Sequence, residues 1–397
     1  MRFASSIVHA NSAAEAVDKL LEPISERITP GMVDLAMLFA TPHFDDELEG
    51  VVDRVGSAFS TAVLMGCTAE GTIGVQREIE RMPSMSLLVG SLPEVRVRPF
   101  HIQQRQLETA VTEPDWERMV AVSPDSGPVF IALADPFSVA IHDFLEGLNE
   151  SYPGAPLVGG VASAARQPKQ NRLVLNGEIH CEGLIGVSLT GRLSVETVVS
   201  QGCRPIATPF VITKGERNVI HELGGKAALE RLHEVLVGLS AEDEELARQS
   251  LFVGRVIDEY KGRFGRGDFL IHNIMGVDRK SGAIGIAGRA RVGATVQFHV
   301  RDAKSADEDL RAMLSPKAGR DYRGAMLFGC NGRGSQMWPS AGHDAGVVGE
   351  LFGELPLAGF FCGGEFGPVG GKNFVHGFTA SIAFFSDPKA GAADDES

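Results

Sequence analysis

Apolar positions along this chain recur in one arrangement three times: a short apolar strand, a helix with one apolar face, then a second apolar strand that empties into a glycine-rich turn. The first copy runs from Val33 to Gly74. Leu35 to Ala40 reads as its opening strand, stopped by Thr41-Pro42. Leu48, Val51, Val52, Val55 and Phe59 fall at helical spacing, and Ala62 to Met65 leads into Gly66-Cys67-Thr68-Ala69-Glu70-Gly71. The second copy runs from Pro128 to Ala165. Val129 to Ala134 is its strand, Phe137, Ile141, Phe144, Leu145 and Leu148 its helical stripe, and Pro156 to Val158 its closing strand, before Gly159-Gly160-Val161-Ala162-Ser163. The third runs from Ala325 to Gly371. Ala325 to Phe328 enters Gly329-Cys330-Asn331-Gly332-Arg333-Gly334, Val347, Val348, Leu351, Phe352 and Leu355 form the stripe, and Ala358 to Phe361 closes into Cys362-Gly363-Gly364-Glu365-Phe366-Gly367.

A further strand is expected after each glycine turn, at Ser86 to Gly90, Leu184 to Leu189 and Phe378 to Phe385. Asn176-Gly177, between Arg172 to Leu175 and Glu178 to Cys181, signals a hairpin, because a type I′ turn needs positive φ at both central residues. Between the second and third copies the pattern changes. Gln201 to Ile220 reads as irregular, with Pro205, Pro209 and Gly215. Lys226 to Leu239 has one apolar helical face, and Glu242 to Phe252 is expected to continue as helix. Asp268 to Val277, Ala283 to Ala290 and Ala294 to Arg301 read as an antiparallel meander, and Ser305 to Leu314 as a helix. The expected division is a domain over 1–220, a second over 221–387, and a polar, acidic, disordered tail over 388–397.

β-α-β units place their loops at the carboxyl ends of parallel strands, where open α/β sheets bind ligands. The pattern therefore points to a pocket. Bulk properties narrow its contents. At 397 residues the chain has room for two cores, and a net charge of -14 disfavours nucleic acid and anionic membrane surfaces. No apolar run reaches the length of a membrane span, and no signal peptide is evident at the N-terminus. The five cysteines form no C-x-x-C pair, and a reduced, cytoplasmic setting is expected.

Candidate chemistry sits in the glycine turns. Glycine lets backbone approach a ligand closely. Cys67 and Glu70 share the spacing of Cys362 and Glu365, with Gly160 and Ser163 at the matching places of the second copy. Arg333 is the first choice as anchor for an anion, since a guanidinium holds a carboxylate through two parallel hydrogen bonds. Cys67, Thr68, Glu70, Asn331, Arg333, Cys362 and Glu365 are the expected ligand-binding set. Two other readings stay open: an enzyme using Cys67, Cys330 or Cys362 as nucleophile, and an interaction scaffold whose turns are purely structural. Phosphate-loop, dinucleotide-binding, nucleophile-elbow and zinc-protease motifs are absent, and the histidines lack ligand spacing, so no catalytic residue, cofactor or metal is expected.

The same turns carry a resemblance. Gly66-Cys67-Thr68-Ala69-Glu70-Gly71 looks like the N-terminal signature of FIST-domain proteins. Gly202-Cys203-Arg204-Pro205-Ile206 with Val211-Ile212-Thr213-Lys214-Gly215 resembles the mid-region of that family, and Leu223-Gly224-Gly225-Lys226-Ala227-Ala228-Leu229 resembles the start of its C-terminal half. Phe328-Gly329-Cys330-Asn331-Gly332-Arg333-Gly334 and Gly363-Gly364-Glu365-Phe366-Gly367-Pro368 are similar to its two late motifs. The resemblance implies an α/β protein of mixed sheets in FIST N-like and FIST C-like halves, acting as a sensory module of intracellular signal transduction. Its implied ligand is a small molecule such as an amino acid. With no kinase, cyclase or F-box segment in the sequence, a stand-alone sensor working through a separate signalling partner protein is expected.

Overall fold

The computed structural model describes residues 1–59 and 63–388. The expected tail therefore lies, beyond residue 388, outside the described residues, as does Ala62. The chain forms two compact units. Of the described residues, the larger comprises those of Met1–Val199 and Ala312–Val375 together with 379–388; the smaller comprises Ser200–Arg311 and His376–Phe378.

Each of the three sequence copies supplies a parallel strand pair in the larger unit. These are Leu35–Ala40 with Val63–Thr68, Val129–Ala134 with Leu157–Val161, and Gly324–Cys330 with Leu357–Cys362. The crossover helices are Leu48–Phe59, Ile141–Ser151 and His343–Phe352. The strands expected after the glycine turns form as Ser84–Ser91, Leu184–Gly191 and Thr379–Ser386, each antiparallel to the opening strand of its own copy.

Among the described residues each pair is the centre of a six-stranded sheet, and all three sheets follow one plan. An outer strand comes first, then the closing antiparallel strand, the parallel pair, and a hairpin at the far edge. That hairpin always comes from a different copy. Gly71–Gly74 with Arg77–Glu80, which follows the first glycine turn, completes the third copy's sheet. Leu173–Leu175 with Glu178–His180, after the second turn, completes the first copy's sheet. Glu365–Val369 with Lys372–His376, after the third turn, completes the second copy's sheet. The exchange is cyclic, so each glycine turn is a place where the chain passes from one sheet to the next.

Strand alternation explains how the sheets pack. Met37, Phe39, Met65 and Cys67 of the first sheet, Ile131, Leu133 and Val158 of the second, and Met326, Phe328, Phe360 and Cys362 of the third share one core. On the other faces, Ala36 and Leu38 meet Val51, Val55 and Phe59 of the first crossover helix, and Phe130 and Ala132 meet Phe144 and Leu148 of the second. A glycine marks the same place in every parallel pair. A Cβ on Gly66 would lie 1.8 Å from the Leu38 carbonyl oxygen, on Gly159 1.9 Å from that of Ala132, and on Gly359 1.7 Å from that of Leu327. In each case the glycine faces its own register partner.

The smaller unit is a closed β-structure. In order, Thr295–Arg301, Phe210–Glu216, Val219–Leu223, Ala283–Ile286, Phe269–Asp278 and Leu251–Val256 pair side by side, and the last pairs back onto the first. Two expectations are corrected here. The segment read as irregular, Gln201 to Ile220, holds the strands Cys203–Pro205 and Phe210–Glu216, with proline and glycine placed at their ends and at a bulge. The helix expected to reach Phe252 ends at Gln249, because Phe252 enters a strand and packs on Cys203 and Phe269. No helix among the described residues is long and apolar enough to cross a membrane.

Candidate functional site

The three glycine turns are hydrogen-bonded to one another within the larger unit. The Glu70 amide donates to Ser163 Oγ at 3.0 Å, and Ser163 Oγ donates to the Phe361 carbonyl. Val161 N donates to the Gly364 carbonyl and Gly363 N to the Val161 carbonyl, each at 2.9 Å. Asn331 N donates to the Cys362 carbonyl at 2.9 Å, and Asn331 Nδ2 reaches Glu70 Oε2 at 3.4 Å. The second copy departs from the Cys-x-x-Glu spacing for a steric reason. A Cβ on Gly160 would lie 2.5 Å from Cys362 Sγ, so the small residue leaves room for the thiol.

Above this junction lies a shallow recess, with about 10 Å³ of enclosed space, lined by Glu70, Gly71, Glu80, Arg81, Asn331, Gln336 and Phe361. Gly71 lets the exchanged hairpin cross close to the third sheet, since a Cβ there would meet the Phe361 ring at 2.9 Å. Arg81 stands just past that hairpin with φ of 57°, a left-handed conformation unusual for a residue with a side chain. Glu80 accepts from Ser335 N at 2.7 Å and Ser335 Oγ at 2.8 Å, at the start of the short helix Gly334–Met337. Glu70 and Asn331 are half-buried, while Arg81 and Gln336 are exposed.

Of the seven residues expected at the site, the structure brings Glu70 and Asn331 to the recess wall. Cys67, Thr68, Arg333, Cys362 and Glu365 are buried and do not line it. Arg333 in particular is not presented to a ligand. Its Nε and Nη2 donate to Asp344 Oδ2 at 2.6 Å and Oδ1 at 2.8 Å, with the guanidinium fully buried. The two-pronged recognition foreseen for Arg333 exists, and its partner is the chain's own carboxylate. Burial alone would raise Asp344, but the Arg333 guanidinium beside it holds the carboxyl well below the usual range. The hairpin's Glu78 reaches the same cluster: its Oε1 accepts from Ala345 N at 2.9 Å, at the start of the third crossover helix. Burial and then the Asp344 charge push Glu78 up to about 8.

Glu365 is pushed up to about 8 by burial, against the pull of Thr379, whose Oγ1 donates to Oε2 at 2.7 Å. Burial likewise raises the thiols of Cys67 and Cys362, the latter raised further by Glu365. Because Glu365 and Glu78 keep protons that the unfolded chain loses near 4.5, the folded state binds more protons between there and about 8. Stability therefore falls as pH rises through that window. Asp344, lowered instead, contributes stability that is lost only as pH falls below its ordinary 3.8. Glu365→Gln keeps the shape of the protonated acid. Urea unfolding at pH 5 and pH 8 should show a smaller loss in this variant, by on the order of 3 kcal/mol; an unchanged slope would contradict the buried, protonated state.

Sequence reasoning missed Glu80, Arg81, Gln336 and Phe361 at the recess, and Asp344 beneath it. Alternation in Arg77-Glu78-Ile79-Glu80 was the available signal for a short strand carrying two acidic residues on one face.

Comparison with known proteins agrees with this architecture. The FIST N domain matches residues 34–226 and the FIST C domain residues 228–368. The chain belongs to the FIST family, whose domains are sensory modules of signal transduction. An uncharacterized protein of Mycobacterium tuberculosis is 37% identical over 390 residues, covering 98% of this chain and 100% of its own. One from Mycobacterium bovis is 35% identical, covering 98% and 99%. Among solved structures, cyanuric acid hydrolase from A. caulinodans covers 98% of this chain and 100% of its own, at 9% identity and a TM-score of 0.34.

Proposed function

We propose that this protein is a cytoplasmic sensor that binds an amino acid or a metabolite of that size in the recess where its glycine turns meet. The observation that carries this reading is the placement of Glu70 from the first turn and Asn331 from the third on one recess wall, with Arg81 and Gln336 on its rim. A carboxylate suits an ammonium group, a guanidinium suits a carboxylate, and the two amides supply further donors and acceptors. Glu70 and Asn331 hold the ligand, and Arg81 takes the anchoring role first expected of Arg333. Cys67, Thr68, Arg333, Cys362 and Glu365, first expected at the site, are assigned to the buried structure and not to ligand contact.

The recess has about 10 Å³ of enclosed space, so an amino acid would bind with the exposed wall residues Arg81 and Gln336 moving outward. An amino acid has about ten heavy atoms, and a ceiling of roughly 1.5 kcal/mol per atom leaves room for micromolar binding, about -8.2 kcal/mol. Ligand in the recess also touches Glu80, whose carboxylate holds the start of the Gly334–Met337 helix. Occupancy thereby reaches elements that a separate signalling partner can read.

A thermal-shift screen of amino acids and organic acids should find ligands that raise the melting temperature. For a hit carrying an ammonium group, titration calorimetry should show Glu70→Gln weakening binding more than tenfold, about 1.4 kcal/mol or more. Equal affinity in wild type and variant would remove Glu70 from the site.

A further inference from the structure

We propose that Cys330 and Cys362 form a peroxide-responsive thiol pair, in which a hydroperoxide oxidises Cys330 and Cys362 then closes a disulfide. This stands apart from the amino-acid reading and survives its failure.

The pair is set by strand register. Cys330 and Cys362 are direct partners on adjacent parallel strands. Neighbouring strands run about 4.8 Å apart, inside the Cα separations of roughly 4.4–6.8 Å that disulfides bridge. Two residues earlier on the same strands, the Phe328 and Phe360 rings lie 5.7 Å apart, so side chains at this spacing share one face. The structure has none of the five cysteines in a disulfide, and Cys67 has Phe39, not a cysteine, as its parallel partner.

Cys330 has the surroundings of the attacking thiol. It adjoins Asn331 on the recess wall, and its Sγ accepts from Gly332 N at 3.4 Å. The buried Arg333 guanidinium is close enough to feel its charge. The amide and the guanidinium are the groups that would steady negative charge on this buried sulfur as it attacks. Beside it stands Glu365, fully buried, whose carboxyl is hydrogen-bonded to the Cys330 side chain. That carboxyl is a carrier for the proton that must move.

The steps balance. The Cys330 sulfur attacks one peroxide oxygen, the S–O bond forms and the O–O bond breaks. The thiol proton passes by way of Glu365 to the departing hydroxide, which leaves as water when the oxidant is hydrogen peroxide. The Cys362 sulfur then attacks the sulfenic sulfur, the S–S bond forms, the S–O bond breaks, and the Cys362 proton leaves with that oxygen as a second water. Two thiols lose two electrons and one peroxide is reduced.

The test uses the full chain under native conditions with hydrogen peroxide, followed by catalase, alkylation in denaturant and peptide mass spectrometry. Expected is a Cys330–Cys362 linked peptide that forms at least tenfold faster than any other pair and is reversed by dithiothreitol. In Cys362→Ser, dimedone should label Cys330; in Cys330→Ser, Cys362 should stay unlabelled. Full alkylation of both thiols after peroxide, linkage of another pair, or oxidation confined to the half-exposed Cys181 would overturn the proposal. The wild-type arm decides even if a variant fails to fold.

Discussion

Gly359→Ala should destabilise the larger unit by about 3 kcal/mol or more. The added carbon would sit 1.7 Å from the Leu327 carbonyl oxygen, and the next nearest atoms are also backbone of the same strand. A side chain can rotate away from such an overlap. A strand held by register on both sides cannot, so the parallel pair must separate along Ala325 to Cys330. Gly66→Ala and Gly159→Ala should behave alike, since each meets its own register partner's carbonyl in the same way. Gly346→Ala is the control. It lies in the third crossover helix with open space around the new carbon, and should stabilise by about 0.5–1 kcal/mol. Trp116 and Trp338 both belong to the larger unit, so tryptophan fluorescence in urea reads all four variants. Equal midpoints for Gly359→Ala and wild type would show that the strands do not approach this closely.

Arg333→Ala should destabilise by about 3–5 kcal/mol, the range for removing one partner of a buried ion pair. The loss is not the strength of the pair itself. It is the consequence of leaving the Asp344 carboxylate, 3% exposed, without its guanidinium while Glu78 stands close by. Replacing both members with apolar residues removes that stranded charge. Arg333→Met with Asp344→Leu should therefore recover most of the loss, and the double-mutant cycle should give a coupling of at least about 1 kcal/mol. A double variant as unstable as the sum of its singles would mean that the pair is not the unit the geometry indicates.

These two predictions rest on features of different legibility. The three strand–helix–strand copies were readable because each carries period-two and period-3.6 patterns within some forty residues, and each ends in glycine. The Asn176-Gly177 hairpin was readable from turn chemistry alone. What the pattern could not reveal was the cyclic exchange of hairpins. Gly71–Gly74 and Glu365–Val369 are short, glycine-containing strands whose pairing partners lie hundreds of residues away or in another copy, and local periodicity has no term for that. The exchange is also why the turns meet: a turn leading from one sheet into the next must lie at their junction.

At the site, Glu70 and Asn331 were legible as polar residues on glycine turns. The burial of Arg333 was not, because its partner comes eleven residues later across a helix, a turn and Gly342, a separation at which sequence carries no contact signal. Arg81 was hidden for the opposite reason. An exposed arginine after a short strand looks like any solvated charge until the hairpin beside it is placed.

The central claim is that the junction of the three turns is a ligand site. Hydrogen–deuterium exchange with and without a ligand found by the thermal screen tests it most directly. Added ligand should slow exchange in residues 70–81 and 331–337 of the larger unit, with the effect diminished in Glu70→Gln. Protection confined to residues 200–311, with those stretches unchanged, would place the ligand elsewhere and contradict the account.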